Sequence, residues 1–225
     1  MPMIKAVIFD MDGVLIKSVE AAARVRSRAM LDYGVDLTEL PDPHGQNHKG
    51  SSLKELVTGA KQHYGITIPF DELAAKVSEG MRDDLIAHHT TADPYLVKLL
   101  DELSERGVKL GIATAGVRQG AYNKLQILGI EFRFDAIVTA DDAVNHKPHP
   151  ELYQTAMARL GVKPTETIVI EDSIAGVQSG VAAGATVVGF TGYSSDKSPL
   201  EGTATTIDSW EEIDYGTLRK LIEHR

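Results

Sequence analysis

The sequence has no cysteine. Disulfides and thiolate metal sites are therefore excluded, and a reducing compartment is a compatible setting. It has no surplus of positive charge either. Lys and Arg number 23 against 32 Asp and Glu, a formal net charge of -9, which does not favour nucleic acid as a partner. Long hydrophobic runs are missing: the first apolar stretch, between Lys5 and Asp10, is far too short for a signal peptide or a membrane span. There is no low-complexity tract and no internal repeat. These absences set the expectation of a cytoplasmic protein with neither membrane nor nucleic acid as partner; a monomer is the expected state, on no sequence signal of its own. What is present is 225 residues, 43% hydrophobic and 24% charged, enough to bury a sizeable core in one domain or in a domain with an insert.

KAVIFD (5–10) is an apolar, β-favouring run that ends in Asp-x-Asp-Gly. It reads as a strand covered on both faces. Four later segments read the same way: VKLGIAT (108–114), DAIVT (135–139), ETIVIED (166–172) and ATVVGF (185–190). Helical patterns lie between them. Asp93 before Pro94 marks a helix start, Leu96, Leu99, Leu100 and Leu103 form one apolar stripe, and Gly107 ends it. Tyr122, Leu125 and Leu128 lead to Gly129, and Leu152, Ala156 and Leu160 lead to Gly161. Alternating strands and helices predict an α/β fold with a doubly wound parallel sheet. Right-handed crossovers then place every strand C-terminus on one edge, where ligands bind in such sheets.

Residues 17–91 break the rhythm. They hold helical stripes (Ala22, Val25, Ala29; Leu53, Leu56, Val57, Ala60; Leu73, Val77, Met81, Leu85), with Gly34 and Gly65 as stops, and no good strand. The expected organisation is an α/β core of residues 1–16 and 92–225 with a small helical domain, 17–91, inserted after the first strand. A lid in that place could exclude water from a reaction.

The predicted strand ends carry the chemistry. The first bears Asp10 and Asp12, the second Thr114 followed by Ala115 and Gly116, the loop after the third Lys147, and the fourth Glu171 and Asp172. Two aspartates one residue apart repel, and desolvation adds to the cost, so a metal ion or a phosphate reaction is the expected offset. Clustered carboxylates suit Mg²⁺. One carboxylate can attack phosphorus while a second serves as acid and base. A Lys and a Thr hydroxyl with backbone N–H groups can hold the phosphoryl oxygens. Taken singly, each residue has a plain structural reading. Asp10 could cap a turn, Thr114 could be an ordinary strand threonine, Lys147 an exposed loop lysine, and Glu171 to Ser173 a helix cap. His146 and His149 flank Lys147, but their spacing matches no common zinc motif.

FDMDGVL, IATAG, KPHPELY and IEDSIAGV, in that order, resemble the four motifs of the haloacid dehalogenase-like (HAD) superfamily. The similarity spans nearly the whole chain and is nearest to sugar-phosphatase and β-phosphoglucomutase-like members with a helical cap. It implies a Rossmann-like core, a Mg²⁺ cofactor and a small phosphorylated metabolite, such as a sugar phosphate, as substrate. It implies Asp10 as nucleophile and metal ligand, and Asp12 as acid and base with its backbone carbonyl on the metal. Thr114 with the backbone at Ala115 and Gly116 would hold the phosphoryl group. Lys147 would bridge Asp10 and phosphate, Asp172 would bind the metal, and Glu171 would be a further ligand or support one.

The resemblance also implies that the loop PHGQNHKGSS (43–52) faces the substrate, with Lys49, His48 and Asn47 touching its non-transferred part. Mutases of the family show a Lys-Gly-x-Ser-Arg-like pattern there, but Leu53 stands at the Arg position; EAAARV lacks the His their first cap helix carries. Lys17, where the family often has Asp, has no functional account. Mg²⁺-dependent phosphatase is thus the leading reading and phosphomutase the alternative. A non-catalytic phospho-receiver comes third, because its motif order differs and it has no place for a helical insert.

Overall fold

The structure is a computed structural model. It describes residues 4–42, 48, 53–88, 90–194 and 196–223. Among the described residues no helix is long and apolar enough to cross a membrane.

The chain divides into two compact units, residues 1–17 with 91–225 and residues 18–90. The first is built on six strands: β1 (Ala6–Phe9), β2 (Lys109–Ala113), β3 (Ala136–Val138), β4 (Thr167–Glu171), β5 (Thr186–Phe190) and β6 (Thr205–Ile207). They form one sheet in the order β3-β2-β1-β4-β5-β6, and every pairing is parallel. β1 lies in the middle, with Phe9 opposite Ile112 of β2 on one side and Ile170 of β4 on the other. Residues of β1, β4 and β5 are all buried, as continuous apolar runs require of strands covered on both faces. Helices α4 (Pro94–Glu105), α5 (Arg118–Leu128), α6 (Glu151–Leu160), α7 (Ile174–Ala182) and α8 (Tyr215–Glu223) belong to this unit.

The helix signals have direct structural causes. The Asp93 carboxylate accepts from the Tyr95 and Leu96 amides at 2.8 and 3.4 Å, and Pro94 stands first in α4, where its missing N–H is harmless. Leu96, Leu99, Leu100 and Leu103 are all buried. Gly129 and Gly161 close α5 and α6 in the left-handed conformation. β6 was not among the expected strands: it is three residues long, and two of the three are only half-buried threonines, so it lacks the apolar run that marked the others.

The second unit holds α1 (Val19–Leu31), α2 (Leu53–Tyr64) and α3 (Phe70–Ala87). Its core joins Ala29, Met30, Leu56, Ala60 and Leu73. In α3 the expected stripe is interrupted: Asp84 is buried beside Leu85, and Val77 and Met81 are only partly covered. Arg24 meets the Asp84 carboxylate with Nε at 3.1 Å and Nη2 at 2.6 Å. A two-pronged guanidinium makes a buried carboxylate tolerable in an apolar stripe.

Candidate active site

The site grows from the carboxyl ends of β1, β2 and β4. One residue past β1, the Asp10 amide still bonds to the Ile170 carbonyl at 2.9 Å, so the sheet sets its position. The chain then turns: the Leu15 and Ile16 amides return to the Met11 carbonyl at 3.0 and 3.1 Å, and the Gly13 amide bonds to Ile16. Gly13 has φ +88°, and a Cβ there would lie 1.8 Å from Asp172 Oδ2. Only glycine allows both the turn and the approach of that carboxylate. β2 delivers Thr114, buried, with its amide on Val138 and its Oγ1 accepting from the Gly116 amide at 3.0 Å. Ala115 is exposed beside it.

Oxygens of Asp10, Glu171 and Asp172 all lie within 4.8 Å of one another. Lys147, on the loop after β3, enters this group. Its Nζ is 2.5 Å from Asp10 Oδ1, 2.6 Å from Glu171 Oε1 and 2.9 Å from the Ala113 carbonyl. Three donors thus meet three acceptors, which satisfies the ammonium. Tyr153 of α6 is fully buried, donates its hydroxyl to Glu171 Oε1 at 2.7 Å, and places its ring 4.8 Å from Lys147 Nζ. The other Glu171 oxygen accepts from the Asp172 and Ser173 amides and the Ser173 hydroxyl at 3.0, 3.2 and 3.0 Å. Glu171 is completely buried and heavily hydrogen-bonded, as a buried carboxylate must be. Ser173 also caps α7 by accepting from the Gly176 amide at 3.0 Å, so capping and site building coexist here.

The electrostatics follow from burial. Desolvation, opposed by Lys147 and reinforced by Glu171 and Asp12, pushes Asp10 up to about 7. Desolvation together with Asp10 and Glu171 pushes Asp172 up to about 8. Burial works against the charge of Lys147, but Asp10 and Glu171 outweigh it and hold the ammonium above its ordinary range. Burial and the Glu171 charge raise the Tyr153 hydroxyl well above its usual value, which keeps it a donor.

Asp12 stands apart. Its carboxylate is outside the three-carboxylate group, and both its oxygens accept from Lys124 Nζ of α5, at 2.5 and 2.7 Å. Lys124 and Tyr153 escape sequence reasoning. A lone lysine in a helix carries no spacing signal, although position 124 adjoins Leu125 of the buried stripe; Tyr153 adjoins Leu152 in the same way.

With all four carboxylates ionised, Asp10, Asp12, Glu171 and Asp172 against the ammonium groups of Lys147 and Lys124 leave a net charge of -2. The donors are all oxygen, and two of the carboxylates hold protons to unusually high pH. This chemistry fits one hard divalent cation.

The remaining expected contacts lie in the helical unit. Asn47 and Lys49 fall outside the described residues. His48 is buried, with its amide 3.0 Å from Asp42 Oδ2 and its Nε2 3.1 Å from the Leu40 carbonyl. Both contacts tie it to its own unit, where it also lines a cleft of ≈ 850 Å³.

The family model described as haloacid dehalogenase-like hydrolase matches residues 7–190. The chain is 33% identical to validoxylamine A 7'-phosphate phosphatase of Streptomyces hygroscopicus subsp. limoneus, over 84% of this chain and 86% of that one. It is 29% identical to the phosphorylated carbohydrates phosphatase of Thermotoga maritima, over 93% and 96%. The fold superposes on the β-phosphoglucomutase of Clostridium difficile with a TM-score of 0.77 at 25% identity, covering 99% of this chain and 98% of the other.

Proposed function

Because the chain belongs to the haloacid dehalogenase-like hydrolase family, we propose that it is a Mg²⁺-dependent phosphatase of a small phosphorylated metabolite, a sugar phosphate by preference, working through an aspartyl-phosphate. One observation carries this reading: a buried lysine bridges Asp10 and Glu171 beside Asp172, while Asp12 keeps its carboxylate outside that group. Similarity to two phosphatases of phosphorylated carbohydrates and related compounds supports it.

In this reading Asp10, Asp172 and the Asp12 carbonyl hold the metal, and Glu171 orients Lys147 and braces the loop. The metal neutralises phosphoryl charge when bound. Thr114 and the backbone at Ala115 and Gly116 cradle the phosphoryl oxygens. A carboxylate oxygen of Asp10 forms a bond to phosphorus as the phosphorus–ester oxygen bond breaks, and Asp12 gives the leaving alkoxide a proton. Asp12 then takes a proton from water, whose oxygen attacks phosphorus; the Asp10–phosphorus bond breaks, releasing phosphate and restoring the carboxylate. Lys147 stays protonated throughout. Residues 17–91 serve as the cap domain that selects the substrate, and the buried His48 supports that unit from within. The mutase alternative is disfavoured by Leu53 at the expected Arg position and by the His-free EAAARV stretch.

The test is phosphate release from sugar phosphates, nucleotides, phosphoglycolate and p-nitrophenyl phosphate, with Mg²⁺, with EDTA, and with Asp10→Asn. Metal-dependent release that disappears in a folded Asp10→Asn protein is the expected result. An active Asp10→Asn variant would remove the nucleophile assignment. Transfer between positions of a hexose phosphate without release would favour the mutase.

A further inference from the structure

We propose that Lys124 is a positioning residue that keeps the Asp12 carboxylate off the metal and beside the phosphate-holding loop, so that the two aspartates of FDMDG do different work. The inference rests on the phosphatase reading above and adds a residue to it.

The problem is physical. Asp12 is two residues from Asp10, and an anionic carboxylate that close to a divalent cation is drawn into its coordination sphere. A carboxylate bound in that way could not serve a leaving group. The structure supplies a competing cation. Lys124 Nζ lies 2.5 and 2.7 Å from the two Asp12 oxygens. The lysine side chain is 15% exposed, so its stem is largely covered; Ala121 and Leu125, before and after it in α5, are buried. Such a stem leaves the ammonium little freedom. The carboxylate is thereby turned toward the β2 loop: a Cβ added to Gly116 would sit 3.9 Å from Asp12 Oδ2 and 3.3 Å from Thr114 Oγ1. That is the side on which Thr114 would hold the phosphoryl group. Lys147 serves Asp10 and Glu171 and does not substitute, because its three donors are already engaged. A partly exposed ion pair contributes little to stability, so orientation is the larger effect.

Two readouts test this in the full chain: calorimetric titration with Mn²⁺, and kcat/KM for an alkyl phosphate and for p-nitrophenyl phosphate. The alkyl ester needs a proton on its leaving oxygen, and the aryl ester does not. Lys124→Met is expected to lower kcat/KM about 10- to 100-fold for the alkyl ester and to leave the aryl ester within about threefold. Mn²⁺ is expected to bind several-fold tighter as Asp12 joins the ligands, a gain absent from Asp12→Asn/Lys124→Met. Lys124→Arg should restore both values. An unchanged alkyl-to-aryl ratio, or tighter Mn²⁺ binding that persists in the double variant, overturns the proposal. If the wild type releases phosphate from no ester, the phosphatase reading falls by itself. The Mn²⁺ comparison of single and double variants then still decides the role of Lys124.

Discussion

The carboxylate of Glu171 occupies the space that a side chain at Gly176 would need: a Cβ there would come 1.8 Å from Oε1 and 2.1 Å from Oε2. α7 begins so close to the end of β4 that its first turn is the wall against which Glu171 rests. Gly to Ala inside a helix ordinarily gains up to about 1 kcal/mol. Here the collision with a fully buried, fully bonded carboxylate outweighs that gain. Gly176→Ala is expected to lower the melting temperature, loosen Lys147 and reduce turnover at least about tenfold, as thermal scans and phosphate release would record. A more stable, fully active variant would show that Glu171 is not held there.

Lys147→Met leaves buried carboxylates without their cation. Breaking a buried pair in this way costs about 3–5 kcal/mol. The cost depends on pH, because Asp10 and Asp172 can escape it by holding protons. Denaturant unfolding of the metal-free variant is therefore expected to show most of the loss near pH 8.5 and a smaller loss near pH 5.5. An equal loss at both would mean that the lysine acts through packing alone.

Metal binding should depend on pH with a definite sign. The folded, metal-free chain holds protons on Asp10 up to about 7 and on Asp172 up to about 8, while an unfolded chain releases them near pH 4. With folded values raised, the contribution of these groups to stability is fully present below about pH 4 and is lost as pH rises through 7 and 8. A divalent cation must displace these protons. Mg²⁺ affinity is expected to climb between about pH 6 and 8.5, by up to about tenfold per pH unit for each proton displaced. Calorimetry in buffers of different ionisation enthalpy would count them. An affinity that does not change with pH would contradict the protonated apo site.

Away from the site, Asp142 joins Arg159 and Arg118, each 2.7 Å from Oδ1, and ties down the Thr139 amide at 2.9 Å. The Arg159 hydrogen bond foremost, then the Thr139 amide and Arg118, outweigh burial and hold this carboxylate well below the usual range. Both arginines are exposed, so water screens the pairs, and Asp142→Asn is expected to cost only about 1 kcal/mol. With the folded value depressed, that contribution is present above about pH 4 and lost as pH falls below it. Urea unfolding of the two proteins should converge in acid; a constant gap would exclude the ion pairs as its cause.

Five of the six strands and the site residues at the sheet edge were legible because burial on both faces demands unbroken apolar runs, and four of those runs led to a polar motif. Asp10, Thr114, Lys147, Glu171 and Asp172 could be grouped by parallel topology alone. What stayed hidden depends on contacts between distant segments. Lys124 meets Asp12 across 112 residues of sequence, and no periodicity encodes that. Asp84 is buried because Arg24 of another helix faces it; the α3 stripe read from Leu73, Val77, Met81 and Leu85 gives no sign of a buried carboxylate among them. His48 carries a polar, loop-like context in the sequence, yet its ring turns inward to the Leu40 carbonyl.

The strand order has a consequence for how the chain is made. β1 leaves the ribosome first, but its neighbours in the sheet are β2, beginning at Lys109, and β4, beginning at Thr167. Neither edge of AVIF can be satisfied until β2, which begins 100 residues after Phe9, has been synthesised, and the second must wait 58 residues more for β4. Contacts this remote in sequence form slowly. Until then the nascent chain exposes an unpaired apolar strand of the kind that chaperones hold and that aggregation exploits. Asp10 and Asp12 hang from that same strand, so the acidic centre assembles only when β4 arrives, and no N-terminal fragment that stops short of β4 can carry it.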